Sequence, residues 1–171
     1  MRKQGQAWLL IIGLLCGNAT AHGQTALTEG DLLPFAGAWT LDTTQSGVTE
    51  PERRVITVGP GWLRVEIHRA DDDRPPALVY NLDGTSRVNP FGSGTATTEL
   101  RRDANGIVTV TVFTINDRPV TVQERLQMTS AGDMVAAVLL RVEHGYQGVL
   151  PALQKGAPNV AETSKHFRRT P

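Results

Sequence analysis

The chain has 171 residues, of which 40% are hydrophobic, and it carries 17 basic and 17 acidic side chains. This length is enough for one domain with a single core. The formal net charge of zero gives no support to a nucleic-acid partner or to binding at an anionic membrane surface. The composition therefore predicts one globular domain without either kind of partner.

The first 21 residues have the pattern of an export signal. A basic start precedes an apolar stretch, residues 7–16, which is long enough for a signal core but too short to cross a bilayer. Residues 19–21, Ala-Thr-Ala, form a cleavage site of the A-x-A kind. We therefore expect a signal peptide at 1–21, and a mature, soluble chain that begins near His22 and is periplasmic or secreted. No further apolar stretch reaches the length of a membrane span.

The single cysteine, Cys16, allows a second interpretation, in which it is the lipidated residue of a lipoprotein. Leu15 precedes it, whereas a lipoprotein signal has a small residue there, so soluble export is favoured. The mature chain then has no cysteine, and its core alone must hold the fold. The 17 basic residues less Arg2 and Lys3 leave 15 against 17 acidic residues, a net charge of −2.

After the signal, residues 22–34 form a flexible, polar lead-in, in which 28–31 could start a helical turn that Pro34 ends. From residue 35 onward, short segments alternate with turn signals such as Asp83-Gly84. The segments that fit strands are 35–43, 53–58, 61–69, 77–83, 85–89, 95–103, 106–115, 119–128, 133–143 and 163–169. This spacing predicts an all-β fold, a single antiparallel up-and-down barrel of about 8–10 strands.

Residues 35–42 read Phe-Ala-Gly-Ala-Trp-Thr-Leu-Asp and place Gly37 and Trp39 on the first predicted strand. The pattern continues in three shorter segments, 45–47, 81–84 and 125–133. Together they resemble a set of small bacterial secreted proteins with a lipocalin-like barrel, over roughly 35–143. The resemblance implies a lipocalin-like barrel domain over 35–171. Most such proteins have no assigned activity, so it implies little about function.

In the fold that this resemblance implies, Trp39 closes the base of the barrel, and an arginine from a late strand lies over its ring in a cation–π contact. Arg125, Arg168 and Arg169 are the candidates for that arginine. The residues expected to be structural are Gly37, Trp39 and Arg125.

The segment 144–162 departs from the ladder of strands. Its five glycine and proline residues predict a long loop before the last strand, and loops of this length are often functional. We expect the segment to cap the barrel and control access to its interior, because four of its residues are too apolar for a free linker: Tyr146, Val149, Leu150 and Leu153.

No pattern identifies an enzyme. The histidines, His22, His68, His144 and His166, lack metal-ligand spacing, and the acidic run 71–73 lacks the alternating ligands of a calcium site. No metal and no cofactor is therefore expected, and phosphate-loop and catalytic serine motifs are absent from the sequence. Glu66, Glu99 and Glu124 lie within predicted strands. Glu124 falls on a mainly apolar face, which predicts pairing with an arginine on a neighbouring strand rather than catalysis.

Two functions remain open. The leading hypothesis is a small apolar or amphipathic ligand in the barrel lumen. The ligand-binding candidates are Trp62, Tyr80, Phe113 and Tyr146, which could instead be ordinary core. The alternative is an envelope structural or protein-interaction module with a filled core and no ligand. Titratable groups that converge inside the barrel would favour an enzyme. The sequence does not identify the ligand, a protein partner or the oligomeric state.

Overall fold

The computed structural model describes residues 26–70, 75–142 and 159–171. Within these ranges it has ten strands: β1 (Gly37–Leu41), β2 (Glu52–Gly59), β3 (Trp62–Arg69), β4 (Ala77–Asn81), β5 (Arg87–Phe91), β6 (Gly94–Asp103), β7 (Gly106–Ile115), β8 (Arg118–Met128), β9 (Met134–Val142) and β10 (Asn159–Arg169). Two one-turn helices, α1 (Glu29–Leu32) and α2 (Thr43–Ser46), and a 3-10 turn at Leu33–Phe35 complete the described elements. All ten predicted strands are confirmed.

The ten strands form one antiparallel sheet in the order β4-β3-β2-β1-β10-β9-β8-β7-β6-β5. Apart from β4 and β5, consecutive strands pair with each other, and β1 pairs with β10, so the chain runs up and down around a nearly closed barrel. The predicted all-β, up-and-down barrel is confirmed. Curling the sheet brings its two outer strands, β4 and β5, face to face and leaves little exposed edge.

The seam between β4 and β5 is bridged by a side chain instead of a backbone ladder. The Asn89 side-chain oxygen accepts from the Val79 N–H at 2.9 Å, and its amide nitrogen donates to the Val79 carbonyl at 3.0 Å. The Thr98 hydroxyl donates to the same carbonyl at 2.6 Å. Both backbone polar groups of Val79 are thereby satisfied at the point where the sheet does not close.

Trp39 is fully buried at one end of the barrel, which we call the base. Its indole N–H donates to the Phe35 carbonyl at 2.8 Å. The Arg169 guanidinium carbon lies 4.4 Å from the centre of the Trp39 ring, which confirms Arg169 among the three arginines predicted to cover it. Arg125 has another place, because it alternates with the buried Leu126 and therefore points outwards, where it pairs with Asp103 at 2.9 Å.

Gly37 makes the contact of Arg169 with the base possible. Arg169 donates to the carbonyls of Ala36 and Pro34, each at 2.8 Å. A Cβ atom on Gly37 would stand 2.8 Å from the Arg169 Nη1 atom, and Gly37 has a φ of +131°, a conformation that favours glycine. Glycine at this position therefore gives the arginine room to cross the strand.

The segment before β1 packs against the base. The predicted helical turn is present as α1, whose first turn is closed by hydrogen bonds between Thr28 and Asp31. Leu27 and Leu32 are buried in the core, and Asp31 pairs with Arg102 at 2.5 Å. The described part of the predicted lead-in is thus anchored to the barrel by apolar and ionic contacts, while the limits of the predicted domains stay a prediction.

The last strand is longer than predicted. Residues 159–162, assigned to a loop by their sequence, belong to β10, and Asn159 pairs with Val142 of β9. Their sequence lacks apolar alternation, so the pairing with β9 decides their structure. The remainder of the predicted cap, 144–158 with Tyr146, lies outside the described residues. Because Val142 and Asn159 face each other, that connection starts and ends at one end of the barrel, opposite the base, which we call the mouth. Neither described helix is long and apolar enough to cross a membrane.

Candidate functional site

The inward-facing side chains of the barrel form three levels. The base level is apolar and almost fully buried, and it includes Trp39, Leu63, Leu100, Ile107, Leu126, Met134 and Phe167. The middle level carries the polar inward-facing groups, beside the buried apolar Ile56, Val65 and Leu78. These polar residues are Glu52, Arg54, Tyr80, Asn89, Thr98, Thr109, Thr111, Glu124 and Lys165. The mouth level is apolar again, with Phe91, Phe113, Val120 and Val142. The polar groups thus lie between two apolar levels.

Arg54 is the centre of the middle level, and only 1% of its side chain is exposed. Its Nε donates to Glu52 at 2.6 Å. Its two Nη atoms donate to the two carboxylate oxygens of Glu124 at 3.0 and 2.8 Å, the paired geometry in which arginine binds a carboxylate most strongly. The guanidinium also lies 4.6 Å from the centre of the Phe167 ring. Arg54 is therefore held on three sides by groups of the protein itself.

Lys165 completes the cluster from β10 and donates to Glu52 at 2.6 Å. The two side chains meet above the end of β1, because the paired residues of β1 stop at Leu41 while β10 extends back to Asn159. The side chains of Lys165 and Glu124 are 17% and 14% exposed, so the cluster keeps some contact with solvent. We call Glu52, Arg54, Glu124 and Lys165 the ion cluster.

The charges of the ion cluster stabilise one another. Burial by itself would raise the pKa of the Glu52 carboxyl, but the nearby Arg54 and Lys165 outweigh it and lower the pKa to about 2. Burial likewise disfavours the charged form of Arg54, yet the carboxylates of Glu124 and Glu52 raise its pKa above the ordinary value. Glu52 and Arg54 are therefore both charged at neutral pH, deep within the barrel.

Tyr80 extends the polar level towards the seam. It is buried, and its hydroxyl lies 3.1 Å from the Thr111 hydroxyl. Burial raises the pKa of Tyr80 to about 12, so the phenol stays neutral and acts as a hydrogen-bonding group. Tyr80 thus provides no charge to a ligand or to a reaction at neutral pH.

The structure places the aromatic residues predicted to line the lumen at different positions. Tyr80 points inwards at the middle level, and Phe113 is half-buried at the mouth level, where its ring centre lies 4.7 Å from that of Phe91. Trp62 does not line the lumen. It alternates with the buried Leu63, so it faces outwards, and its ring covers the hairpin residue Gly59, where a Cβ atom would come within 2.3 Å of the ring.

The prediction that Glu124 pairs with an arginine is confirmed, but the arginine comes from across the lumen rather than from a neighbouring strand. The other members of the ion cluster were missed by sequence reasoning. One signal was available, because Glu52 and Arg54 share the inward face of β2 with Ile56. Glu66 and Glu99 pair instead with arginines on their own strands, on the outer face.

The described ranges contain no group of three or more histidine, cysteine, aspartate or glutamate residues that could hold a metal ion. His68 lies on the outer face, with its Nε2 3.4 Å from Glu66. Two surface clefts, of about 590 and 560 Å³, lie outside the lumen. The first is formed by 40–45 and Arg168, and the second by 26–30 with residues of two turns. Within the described residues, the ion cluster is therefore the candidate site inside the barrel.

No protein-family model and no curated protein matches this sequence. Solved structures do match the fold. A Schistosoma mansoni fatty acid binding protein in complex with arachidonic acid superposes with a TM-score of 0.52 at 10% identity, covering 83% of this chain and 100% of that chain. The fluorescent protein UnaG matches with a TM-score of 0.49 at 12% identity, covering 81% and 99%. Apo lipid binding protein 8 of Caenorhabditis elegans gives 0.49 at 9%, covering 80% and 96%.

At this level of identity the likeness shows the fold alone. The chain has the up-and-down barrel of the fatty-acid-binding-protein and lipocalin kind, which confirms the fold implied by the sequence resemblance. Membership in the set of small bacterial secreted proteins stays a prediction.

Proposed function

We propose that this barrel binds a small amphipathic ligand from its mouth, with the polar end of the ligand at the ion cluster and its apolar part at the mouth level. The ion cluster is the observation that carries the proposal. A buried ion pair is a poor device for stability, because the loss of water can exceed the attraction between the charges. Titratable groups do converge inside the barrel, but their charges are paired with one another, so four charged side chains inside one small barrel are better explained by a role in binding than by catalysis.

The surroundings of the ion cluster support this assignment. Lys165 and Glu124 retain exposed fractions of 17% and 14%, so polar atoms of a ligand could replace water there. Towards the mouth, Phe91, Phe113 and Val138 pack against the core but are only partly buried. A ligand that covers such surface gains about 25 cal/mol per Å². The fold also agrees, since the Schistosoma mansoni protein is a fatty acid binding protein that holds arachidonic acid.

The proposal is tested with N-phenyl-1-naphthylamine, an uncharged apolar fluorophore. We expect saturable binding by the wild-type protein and at least tenfold weaker binding by Phe113→Asp, because a charge then lies at the mouth. Val112→Asp is the matched control, since Val112 is the adjacent residue on the outer face and is 38% exposed. Equal binding by both variants would place the fluorophore outside the lumen and contradict the proposal.

The alternative, an envelope interaction module with a filled core, is favoured by one observation. The base level is closed by buried apolar side chains, and the two surface clefts lie outside the lumen. If neither N-phenyl-1-naphthylamine nor decan-1-ol binds saturably or raises the melting temperature of the wild-type protein, the module is the better function.

We also propose that the protein is exported, as one of the small secreted barrels that its sequence resembles. The support is in the sequence: a basic start, an apolar stretch at 7–16 and the A-x-A site at 19–21. N-terminal sequencing of the exported protein should begin near His22. A diacylated Cys16 at the N-terminus would contradict this cleavage site.

A further inference from the structure

We propose that the polar end of the ligand is an uncharged oxygen, a hydroxyl or a carbonyl, which accepts a hydrogen bond from Lys165, and that the site discriminates against a carboxylate. This inference rests on the proposed function and adds the chemical class of the ligand. It follows from the balance of charge inside the barrel and from the donors that the ion cluster leaves available.

The charges of the ion cluster cancel. The carboxylates of Glu52 and Glu124 oppose the cationic groups of Arg54 and Lys165, and all four are joined by contacts of 2.6–3.0 Å. An anionic ligand would add a third negative charge beside two carboxylates that are already paired, in a site whose charged side chains are largely buried. Arg69 lies 3.9 Å from Glu52, but its side chain is 55% exposed, so water screens its charge.

The paired Nη donors of Arg54 are occupied by Glu124, and only 1% of its side chain is exposed. Its Nε and both Nη atoms donate to Glu52 and Glu124, and the Phe167 ring lies against its face. A ligand carboxylate could bind it in the same paired manner only by displacing Glu124, which would leave that carboxylate without its partner. The cation that would otherwise attract an acid is therefore neutralised by the protein.

Lys165 remains as the donor. An ammonium group has three N–H bonds, and within the described part of the chain one of these donates to Glu52. Glu124 accepts two hydrogen bonds from Arg54, whereas a carboxylate has about four acceptor positions. A ligand hydroxyl can thus accept from Lys165 or donate to Glu124 without changing the charge of the site. A carbonyl oxygen can accept a hydrogen bond from Lys165 but cannot donate one to Glu124.

The test compares decan-1-ol with decanoate as displacers of N-phenyl-1-naphthylamine at pH 7.5. The wild-type protein should bind the alcohol at least tenfold more tightly. Since any apolar surface prefers the alcohol, the decisive measurement is the change of this preference in Glu124→Gln, which gives the ion cluster a net charge of +1. We expect the preference to fall at least tenfold or to reverse. The matched control is Glu99→Gln, which removes the same charge from the outer face and should keep the wild-type preference.

Lys165→Gln gives a second measurement if Glu124→Gln does not fold. It leaves the ion cluster with a net charge of −1, so decanoate binding should weaken at least tenfold further. Decan-1-ol binding should weaken by less than threefold, because the glutamine amide can still donate a hydrogen bond to the hydroxyl. An unchanged preference in the folded charge variants, or a wild-type preference for decanoate, would overturn this inference while leaving ligand binding intact. Saturable binding of no probe would instead overturn the proposed function, and this inference with it.

Discussion

The base and the middle of this barrel each bury one large side chain, which is apolar at the base and charged in the middle. At the base, Trp39 packs among apolar side chains beneath the Arg169 guanidinium, and its one side-chain polar atom donates to the Phe35 carbonyl. Arg54, which faces Trp39 across the β1–β2 pairing, is equally buried but contacts the carboxylates of Glu52 and Glu124. Removing apolar surface from water therefore stabilises the base. In the middle, removing four charges from water costs free energy, and close pairing of the charges must offset that cost.

The two levels also differ in the strands that carry their partners. Trp39 and Arg169 lie on the neighbouring strands β1 and β10, whose pairing brings them together. Arg54 and Glu124 lie on β2 and β8, which are not neighbours in the sheet and meet across the lumen. The contact of Trp39 with Arg169 therefore needs one strand pair, while the ion cluster needs the barrel to be complete. Disrupting each level separately should produce different kinds of damage.

The largest effect is expected at the base. Trp39→Ala removes a fully buried ring and the surface on which Arg169 rests, and should lower the free energy of unfolding by about 3–5 kcal/mol. Trp62→Ala is the matched control, because the same side chain on the outer face is only half-buried, and its loss should be much smaller. Urea denaturation of both variants measures the difference. If Trp39→Ala lost no more stability than Trp62→Ala, the buried ring of Trp39 would contribute no more than an exposed-face tryptophan.

The middle level should respond to broken pairing rather than to lost volume. Arg54→Met keeps most of the side-chain volume but leaves Glu52 and Glu124 without their buried cation, which should cost about 3 kcal/mol. Adding Glu124→Leu removes one of the stranded charges, so the double variant should be more stable than Arg54→Met alone. Urea denaturation tests this order. If the stability loss of the double variant equals the sum of the losses in Arg54→Met and Glu124→Leu, Arg54 and Glu124 are not coupled.

Acid should weaken the ion cluster through Glu52. The pKa of Glu52 falls from 4.5 to about 2 on folding, so the stability that it contributes is complete above about pH 5 and is lost as the pH falls towards 2. The loss should be about 2–3 kcal/mol. Glu52→Gln should flatten the curve of unfolding free energy against pH in this range. Glu66→Gln, on the outer face, should keep the wild-type slope, and a wild-type slope in Glu52→Gln would contradict the assignment.

Most of the fold could be predicted from the sequence, because it depends on local patterns. Alternation and turn residues located all ten strands, and Gly37 with Trp39 indicated the closed base. The start of β10 could not be predicted, since residues 159–162 show no apolar alternation and are held by pairing with β9. Trp62 was placed in the lumen as a candidate because it is aromatic, although its alternation with Leu63 puts it outside.

The ion cluster was largely beyond prediction for a related reason. A strand pattern shows which side chains point inwards, so the need of Glu124 for a cation was predictable. The identity of that cation depends on which strands face each other across a closed barrel, and Arg54 and Glu124 are 70 residues apart. Lys165 was missed because it meets Glu52 only where β1 ends.

The smallest predicted effect concerns the seam between β4 and β5, where the barrel differs from its fully paired walls. Asn89→Ala removes the acceptor and the donor that bind Val79, and should cost about 1–2 kcal/mol, because the Val79 N–H loses its partner and the Val79 carbonyl keeps only the Thr98 hydroxyl. Asn89→Asp separates the two bonds, since its carboxylate still accepts from the Val79 N–H but cannot donate to the Val79 carbonyl.

Amide hydrogen exchange at Val79 should then be fast in Asn89→Ala and slower in Asn89→Asp. Exchange at Val110, on the paired strand β7, should stay as in the wild type. Fast exchange at both positions would mean that Asn89 supports the whole sheet, and unchanged exchange at Val79 would mean that the seam is held by the packing of its neighbours rather than by this side chain.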